Sequence, residues 1–284
     1  MTTELSIIIV NYRVYPYLDA CLQAVSAALG TLDAQIIVVD NDTDEAKQAK
    51  LEAKFPSVEW ICLNQNIGFA RANNLALKKA VGKYILFLNP DTSIRSNVLD
   101  DALAYFKKHP QVGAVGVQML DGDGRFLPES KRDQPSLLGS LFKLTGLASV
   151  FPKSAFFNSY ALGHLEKNAV YSVPVLAGAF IMMPTPLIKK LNGFDESFFM
   201  YGEDIDLSLR ILQQGFENHY LGNLSITHYK GASAKQDSAY LSHFYGSMII
   251  FIKKYPKMYG GVLGIWFLQK CIQLFWLIAQ WNKK

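Results

Sequence analysis

The chain has 284 residues, half of them hydrophobic, and a formal net charge of only +4, so it has ample core material and is not a disordered polymer. Its lysines are scattered in pairs rather than gathered in a stripe, which argues against a nucleic-acid footprint but suits anionic lipids or phosphorylated substrates. Three cysteines, Cys21, Cys62 and Cys271, stand far apart without a CxxC spacing, which argues against a disulfide framework or zinc site and fits a reducing cytoplasm.

The amino terminus, MTTELSIIIVNY, has no basic n-region and only a strand-length apolar run, so no signal peptide is expected. The β-branched run 5–10 predicts a first buried strand, ending at Asn11-Tyr12-Arg13. Pro16 then opens a helix with Leu18, Leu22, Val25 and Leu29 on one face and Gly30 as its stop. A second buried strand at 36–39 delivers Asp40-Asn41-Asp42, and a helix follows over about 45–55. A third strand, 60–63, delivers Asn64-Gln65-Asn66 before Gly68. The Ala-rich run 69–80 predicts a helix with Arg71 and Asn73 in its first turns.

The apolar run 84–88 has the composition of a strand buried on both faces, and it empties into Asn89-Pro90-Asp91. Ligands of open α/β sheets gather at strand carboxyl ends, which makes Asp91 the first candidate functional acid, although Asn-Pro-Asp is equally a turn signal. A helix through Val98, Leu99, Ala102, Leu103 and Phe106, ended by Pro110, leads to a fifth strand at 112–119. This alternation predicts an α/β fold with a mostly parallel central sheet flanked by helices. In such a sheet Asn11, Asp40, Asn66 and Asp91 share one edge and line a nucleotide-sized crevice.

After Asp121-Gly122-Asp123-Gly124 the alternation stops. Residues 125–170 mix Gly, Ser, Pro and aromatics, and irregular segments of that length are usually lids or binding loops. Order returns at 173–184, where Ala177-Gly178-Ala179 suits either close approach to a ligand or a packing glycine in a strand. In GEDIDLSLR, residues 202–210, acids crowd the first turn of a helix that Gly215 closes, and Ile205, Leu209 and Leu212 form its anchoring face. Asp206 has Arg210 one turn on, an ordinary ion pair; Glu203 and Asp204 have no evident partner, which leaves them as dipole partners or functional acids. A short strand through Ile226 ends in His228, a low-weight ligand candidate. The run 262–281 is apolar around most of its circumference, with Gln269, Lys270, Gln273 and Gln280 on a narrow stripe. Twenty helical residues span about 30 Å, enough to cross a bilayer. The stripe, the tryptophans and Lys253, Lys254, Lys257, Lys283 and Lys284 favour instead a helix lying in an anionic membrane surface, with packing on the domain or in a dimer as the plainer alternative.

Six segments, SIIIVNYR (6–13), VVDN (38–41), NQNIGFARANN (64–74), FLNPD (87–91), GEDIDLSLR (202–210) and THYKGAS (227–233), are each weak, but their order and spacing are specific. Together the chain resembles the inverting family 2 glycosyltransferases with the GT-A fold, and within them the rhamnosyltransferase-like members. The resemblance implies a nucleotide-diphosphate sugar donor, a divalent metal (Mg or Mn), and transfer with inversion to a hydroxyl of a glycan or lipid-linked acceptor in polysaccharide biosynthesis for the cell envelope. It assigns Asp91 and His228 to the metal and Asn11, Asp40, Asn66, Gly68, Arg71 and Asn89 to the nucleotide-sugar. Asp204 becomes the general base, with Glu203 the near alternative. The first acid of the family's DxD motif is Asn89 here, which lowers the charge available to a cation.

The layout implied is a nucleotide-sugar half (1–120), an acceptor and catalytic half (121–235) and a membrane-associating C-terminal segment (236–284) at the cytoplasmic face of the membrane. Self-association is left open. The competing readings are a nicotinamide-dependent oxidoreductase, opposed by the absence of GxGxxG after the first strand, and a non-catalytic glycan-binding protein docked on a membrane, opposed mildly by intact Asp91 and Asp204.

Overall fold

The structure, a computed structural model, describes residues 3–136, 138, 139, 142, 146–229 and 238–281. The first half follows the predicted alternation closely: β1 (Leu5–Asn11), α1 (Tyr15–Leu29), β2 (Ala34–Asn41), α2 (Glu45–Lys54), β3 (Val58–Leu63), α3 (Phe69–Leu77) and β4 (Tyr84–Leu88). A three-residue strand, β5 (Thr92–Ile94), follows Asp91 directly, then α4 (Val98–Lys108) and β6 (Val112–Leu120). α1 buries Leu18, Leu22 and Val25, and α4 buries all five of its predicted apolar positions, because both keep helical spacing on one face. α3 ends at Leu77, short of the predicted limit, and Lys79 and Ala80 close turns onto Ala76 and Leu77.

The second half contains β7 (Lys131–Arg132), a single helical turn α5 (Leu147–Val150), β8 (Val170–Ser172), β9 (Val175–Leu176), β10 (Phe180–Pro184), α6 (Thr185–Lys190), α7 (Glu203–Gln213), β11 (Glu217–His228), α8 (Ser238–Lys254) and α9 (Gly261–Trp281). The central sheet runs β3-β2-β1-β4-β10-β6-β11-β5, with β8 alongside β11. It is parallel from β3 to β4 and mixed beyond. β10 runs antiparallel to both β4 and β6, β6 and β11 are parallel, and β5 and β8 run antiparallel to β11. A parallel neighbour requires a crossover from the far edge. The chain instead enters β10 from the turn after β9, at the edge where β4 ends, so Phe180 pairs with Leu88.

Both faces of the sheet are covered. α1 and α4 pack on one side around Leu22, Val25, Leu99 and Phe106; α3, α6 and α7 pack on the other around Ala72, Ala76, Ile188, Leu207 and Ile211. A third cluster of Phe198, Leu209, Phe251, Ile252, Tyr259 and Ile272 ties α8 and α9 to the outer face of α7. α7 is thus gripped from both sides, which makes its first turn a rigid mount.

Candidate active site

The parallel register sets the edge. Asn11 pairs with Asp40, and Asp40 with Cys62, so the ends of β1, β2 and β3 lie level. Asn11 and Asp40 are both fully buried. Asn11 Nδ2 donates to Asp40 Oδ1 at 2.7 Å, and the Tyr15 hydroxyl donates to Asp40 Oδ2 at 2.8 Å. Burial pushes the Asp40 carboxyl above its ordinary value, against the pull of these donors. Next to it, Asn41 joins two loops: its Nδ2 donates to Asn66 Oδ1 at 2.8 Å and its Oδ1 accepts from the Ile67 amide at 2.8 Å. Asn66 Oδ1 also accepts from the Gly68 amide at 2.9 Å. Gly68 has φ +90°, and a Cβ there would sit 2.7 Å from the Phe199 carbonyl oxygen, so the glycine serves contact between two chain segments. Arg71 stands exposed on α3, 3.6 Å from Glu196, at the rim rather than among the buried polar groups.

Asp91 is 3 % exposed. β5 pairs antiparallel with the end of β11, setting Thr92 opposite His228 and bringing His228 Nε2 to 3.2 Å from Asp91 Oδ1. The Tyr229 amide donates to the Asp91 carbonyl at 2.8 Å. Tyr229 and Tyr17 present half-exposed rings with centroids 5.9 Å apart beside this pair. His228 Nδ1 is buried without a hydrogen-bond partner among the described residues. A carboxylate and an imidazole at this separation fit adjacent ligand positions around a small divalent ion, which are about 3 Å apart when bonds are near 2.1 Å. No group of three or more His, Cys, Asp or Glu side chains suited to a metal occurs among the described residues. Among the described residues the site thus sets one carboxylate beside one imidazole. Residues 230–237, including the second half of THYKGAS, lie outside the described part.

Asp204 begins α7, and the partner that spacing left unidentified is Arg132, 72 positions earlier: Nη2 donates to Asp204 Oδ2 at 2.6 Å. The Gly178 amide donates to the same oxygen at 3.0 Å, and the Ile205 amide to Oδ1 at 2.8 Å. The small residue at 178 thus admits Asp204, whose Cβ would lie 3.3 Å from an added Cβ. Glu203 is buried, with Oε2 unpartnered among the described residues, and burial followed by the charge of Asp204 pushes its carboxyl up to about 8. Asp206 points away and pairs with Arg210 at 2.7 Å, as its spacing predicts.

Two consecutive peptides join these groups. The Asn89 amide donates to the Ala179 carbonyl at 3.1 Å, and the preceding residue, Gly178, donates to Asp204. The strand end carrying Asn89 and Asp91 is therefore tied through Ala179 and Gly178 to Asp204 in the first turn of α7. Two cavities lie elsewhere: one of about 330 Å³ at the opposite sheet edge, lined by Glu4, Asp33 and Lys107, and one of about 500 Å³ between Leu212 and Tyr255. Neither includes Asp91 or Asp204. Tyr15, Asn41, Arg132 and Tyr229 belong to the site's framework without having been singled out by spacing. Tyr229 had a signal in following His228; Arg132 had none, because it lies in the stretch where periodicity fails.

A family model described as Glycosyl transferase family 2 matches residues 6–166. An N-acetylglucosaminyl-diphospho-decaprenol L-rhamnosyltransferase of Mycobacterium tuberculosis is 27% identical over 265 residues, covering 89% of this chain and 85% of that protein. Rhamnosyltransferase WbbL of Escherichia coli is 31% identical over 240 residues, covering 78% and 82%. Among solved structures, S. aureus TarS 1-349 is similar with a TM-score of 0.56 at 19% identity, over 87% of this chain and 64% of that one. Mannosyltransferase PcManGT from Pyrobaculum calidifontis, solved with GDP-Man and Mn2+, has a TM-score of 0.61 at 15% identity, over 90% and 64%. The chain spans less than two thirds of the length of both solved structures.

The mixed sheet flanked by helices, shared with these structures, is the GT-A fold. The chain belongs to glycosyl transferase family 2 and is rhamnosyltransferase-like within it. The nicotinamide reading gains nothing from these relatives, both of which are named as sugar-transferring enzymes.

Proposed function

We propose that this chain transfers a sugar, with rhamnose first in line from the names of its relatives, from a nucleotide-diphosphate donor to a hydroxyl of a lipid-linked or glycan acceptor, inverting the anomeric centre. The observation that carries this reading is the link through Gly178 and Ala179, which ties the strand end bearing Asp91, with His228 beside it, to Asp204. Asp91 and His228 are the residues that would hold a divalent cation. When bound, the ion neutralises charge developing on the departing diphosphate. Asn89 faces the donor without adding charge. Asn11, Asp40, Asn66, Gly68 and Arg71 form the nucleotide side, where the interlocked amides keep the edge in one shape. Asp204 takes the proton of the attacking hydroxyl, and a single displacement with a single base gives inversion. The Mn2+ with which PcManGT was solved supports a divalent ion of this kind.

We also infer that the protein rests on the cytoplasmic face of a membrane through α9. That helix is long and apolar enough to cross a bilayer, and only 6% of its most apolar window is buried. Its packing onto α8 through Ile272 and the Trp276–Tyr245 stack, 6.2 Å between centroids, supports a helix lying flat rather than one drawn across.

The test is calorimetric titration with UDP-, dTDP- and GDP-sugars in Mg2+ or Mn2+, followed by turnover assays. One donor should bind in a metal-dependent manner, and Asp91→Ala should abolish that binding; unchanged binding removes Asp91 from the donor site. Asp204→Asn should keep donor affinity and cut turnover by about two to four orders of magnitude. Near-normal turnover would pass the proton to Glu203.

A further inference from the structure

Arg132 reaches Asp204 from outside every motif. It lies on β7, whose two residues pair only with β9 (Arg132 opposite Val175), and its side chain is 13% exposed against 15% for Asp204. Nη2 donates both to Asp204 Oδ2 and to the Leu176 carbonyl, each at 2.6 Å. The Tyr160 side chain lies beside the same guanidinium, and the Asp133 amide donates to the Tyr160 carbonyl at 2.8 Å. Three segments therefore converge on one cation: the β9 turn, the stretch containing Tyr160, and the first turn of α7. A buried ion pair is weak evidence for stability, because a well-packed apolar pair serves folding as well. A guanidinium does something that an apolar group cannot. It orients one carboxylate oxygen and settles which member of an acidic pair carries charge.

We propose that Arg132 is a positioning residue for sugar transfer, holding Asp204 Oδ2 against the Gly178 peptide so that Oδ1 is the oxygen that takes the acceptor's proton. The proposal rests on the reading of Asp204 as the base. In the step concerned, the acceptor O–H gives its proton to Oδ1 as its oxygen bonds to the anomeric carbon. The electron pair of the breaking carbon–oxygen bond leaves with the diphosphate. The ionisable groups facing Asp204 are Arg132 from β7, Tyr160 from the preceding segment and Glu203 beside it. Arg132 bonds Asp204 and not Glu203, so the negative charge of the acidic pair is drawn to Asp204. The elevated carboxyl of Glu203 agrees with that division.

The full chain with Arg132→Met, Arg132→Lys and Arg132→Ala tests this. The probe is whichever sugar nucleotide binds in the calorimetric panel, its turnover followed from pH 5 to 9. Arg132→Met should leave donor Kd within about threefold while lowering kcat about tenfold to a hundredfold. Arg132→Lys should fall between, and ethylguanidinium should restore part of the turnover of Arg132→Ala. A folded Arg132→Met with kcat within about twofold of the parent, or an Arg132→Ala that ethylguanidinium does not rescue, overturns the proposal. If the parent turns over no sugar nucleotide, the transferase reading fails instead, and with it the role given to Arg132.

Discussion

Adjacent acids at the start of α7 meet different surroundings, and the difference has a thermodynamic consequence. Asp204 is bonded by Arg132 and two amides, whereas Glu203 faces burial with its charge opposed by its neighbour. The Glu203 carboxyl moves from an ordinary value of 4.5 to about 8 in the folded chain. Between those values the unfolded chain has released a proton that the folded chain keeps, so stability should be fullest below pH 4.5 and fall as pH rises toward 8. Glu203→Gln cannot ionise and should lose this slope, gaining on the order of a few kcal/mol over the parent between pH 5 and 8.5. Parallel Tm-against-pH curves for the two proteins check this, and coincident slopes would show that Glu203 is charged in the fold. At this scale Asp91 and His228 were legible because each follows a strand end, and strand ends meet by rule. Arg132 was not, because nothing local links an arginine in an aperiodic stretch to an acid 72 residues later.

The elements of the first half were legible almost residue by residue, since buried strands and one-faced helices write their periodicity directly into β1, α1, β2 and α4. β5, β10 and the mixed half of the sheet were not. A three-residue strand has no periodicity to read, and the direction of β10 depends on where the preceding segment delivers the chain. The start of α3 offers a test of how elements hold the site. Gly68 has φ +90° and ψ 161°, a region essentially closed to other residues, and its backbone lies against Phe199. Gly68→Ala should cost on the order of 3 kcal/mol in urea denaturation and weaken donor binding through the displaced Asn66 loop. A loss below about 0.5 kcal/mol would mean that the 199 segment yields freely.

For the molecule as a whole, the exposed apolar surface is concentrated on α9. Leu263, Trp266, Leu274, Leu277 and Trp281 follow one another at helical spacing on its outer side, interrupted by the exposed Lys270. A face of this kind beside Lys253 and Lys257 fits an anionic bilayer. Trp266→Glu combined with Leu277→Glu should leave Tm unchanged, since both side chains are mostly exposed, yet keep the protein in the supernatant when vesicles of phosphatidylcholine and phosphatidylglycerol are sedimented. The parent should sediment with them, less so in high salt. Sedimentation of the double variant would place the attachment elsewhere.

By itself the amino-acid sequence determined the order of strands and helices, the polar group at each strand end and the apolar tail, because these are local patterns of burial. Only the tertiary structure decided that β10 inserts antiparallel beside β4, that Gly178 and Ala179 tie Asn89 to Asp204, and that Arg132 holds the acid there. Those facts come from which distant segments share a hydrogen bond, and a pairing across 72 residues leaves no trace in the spacing on either side.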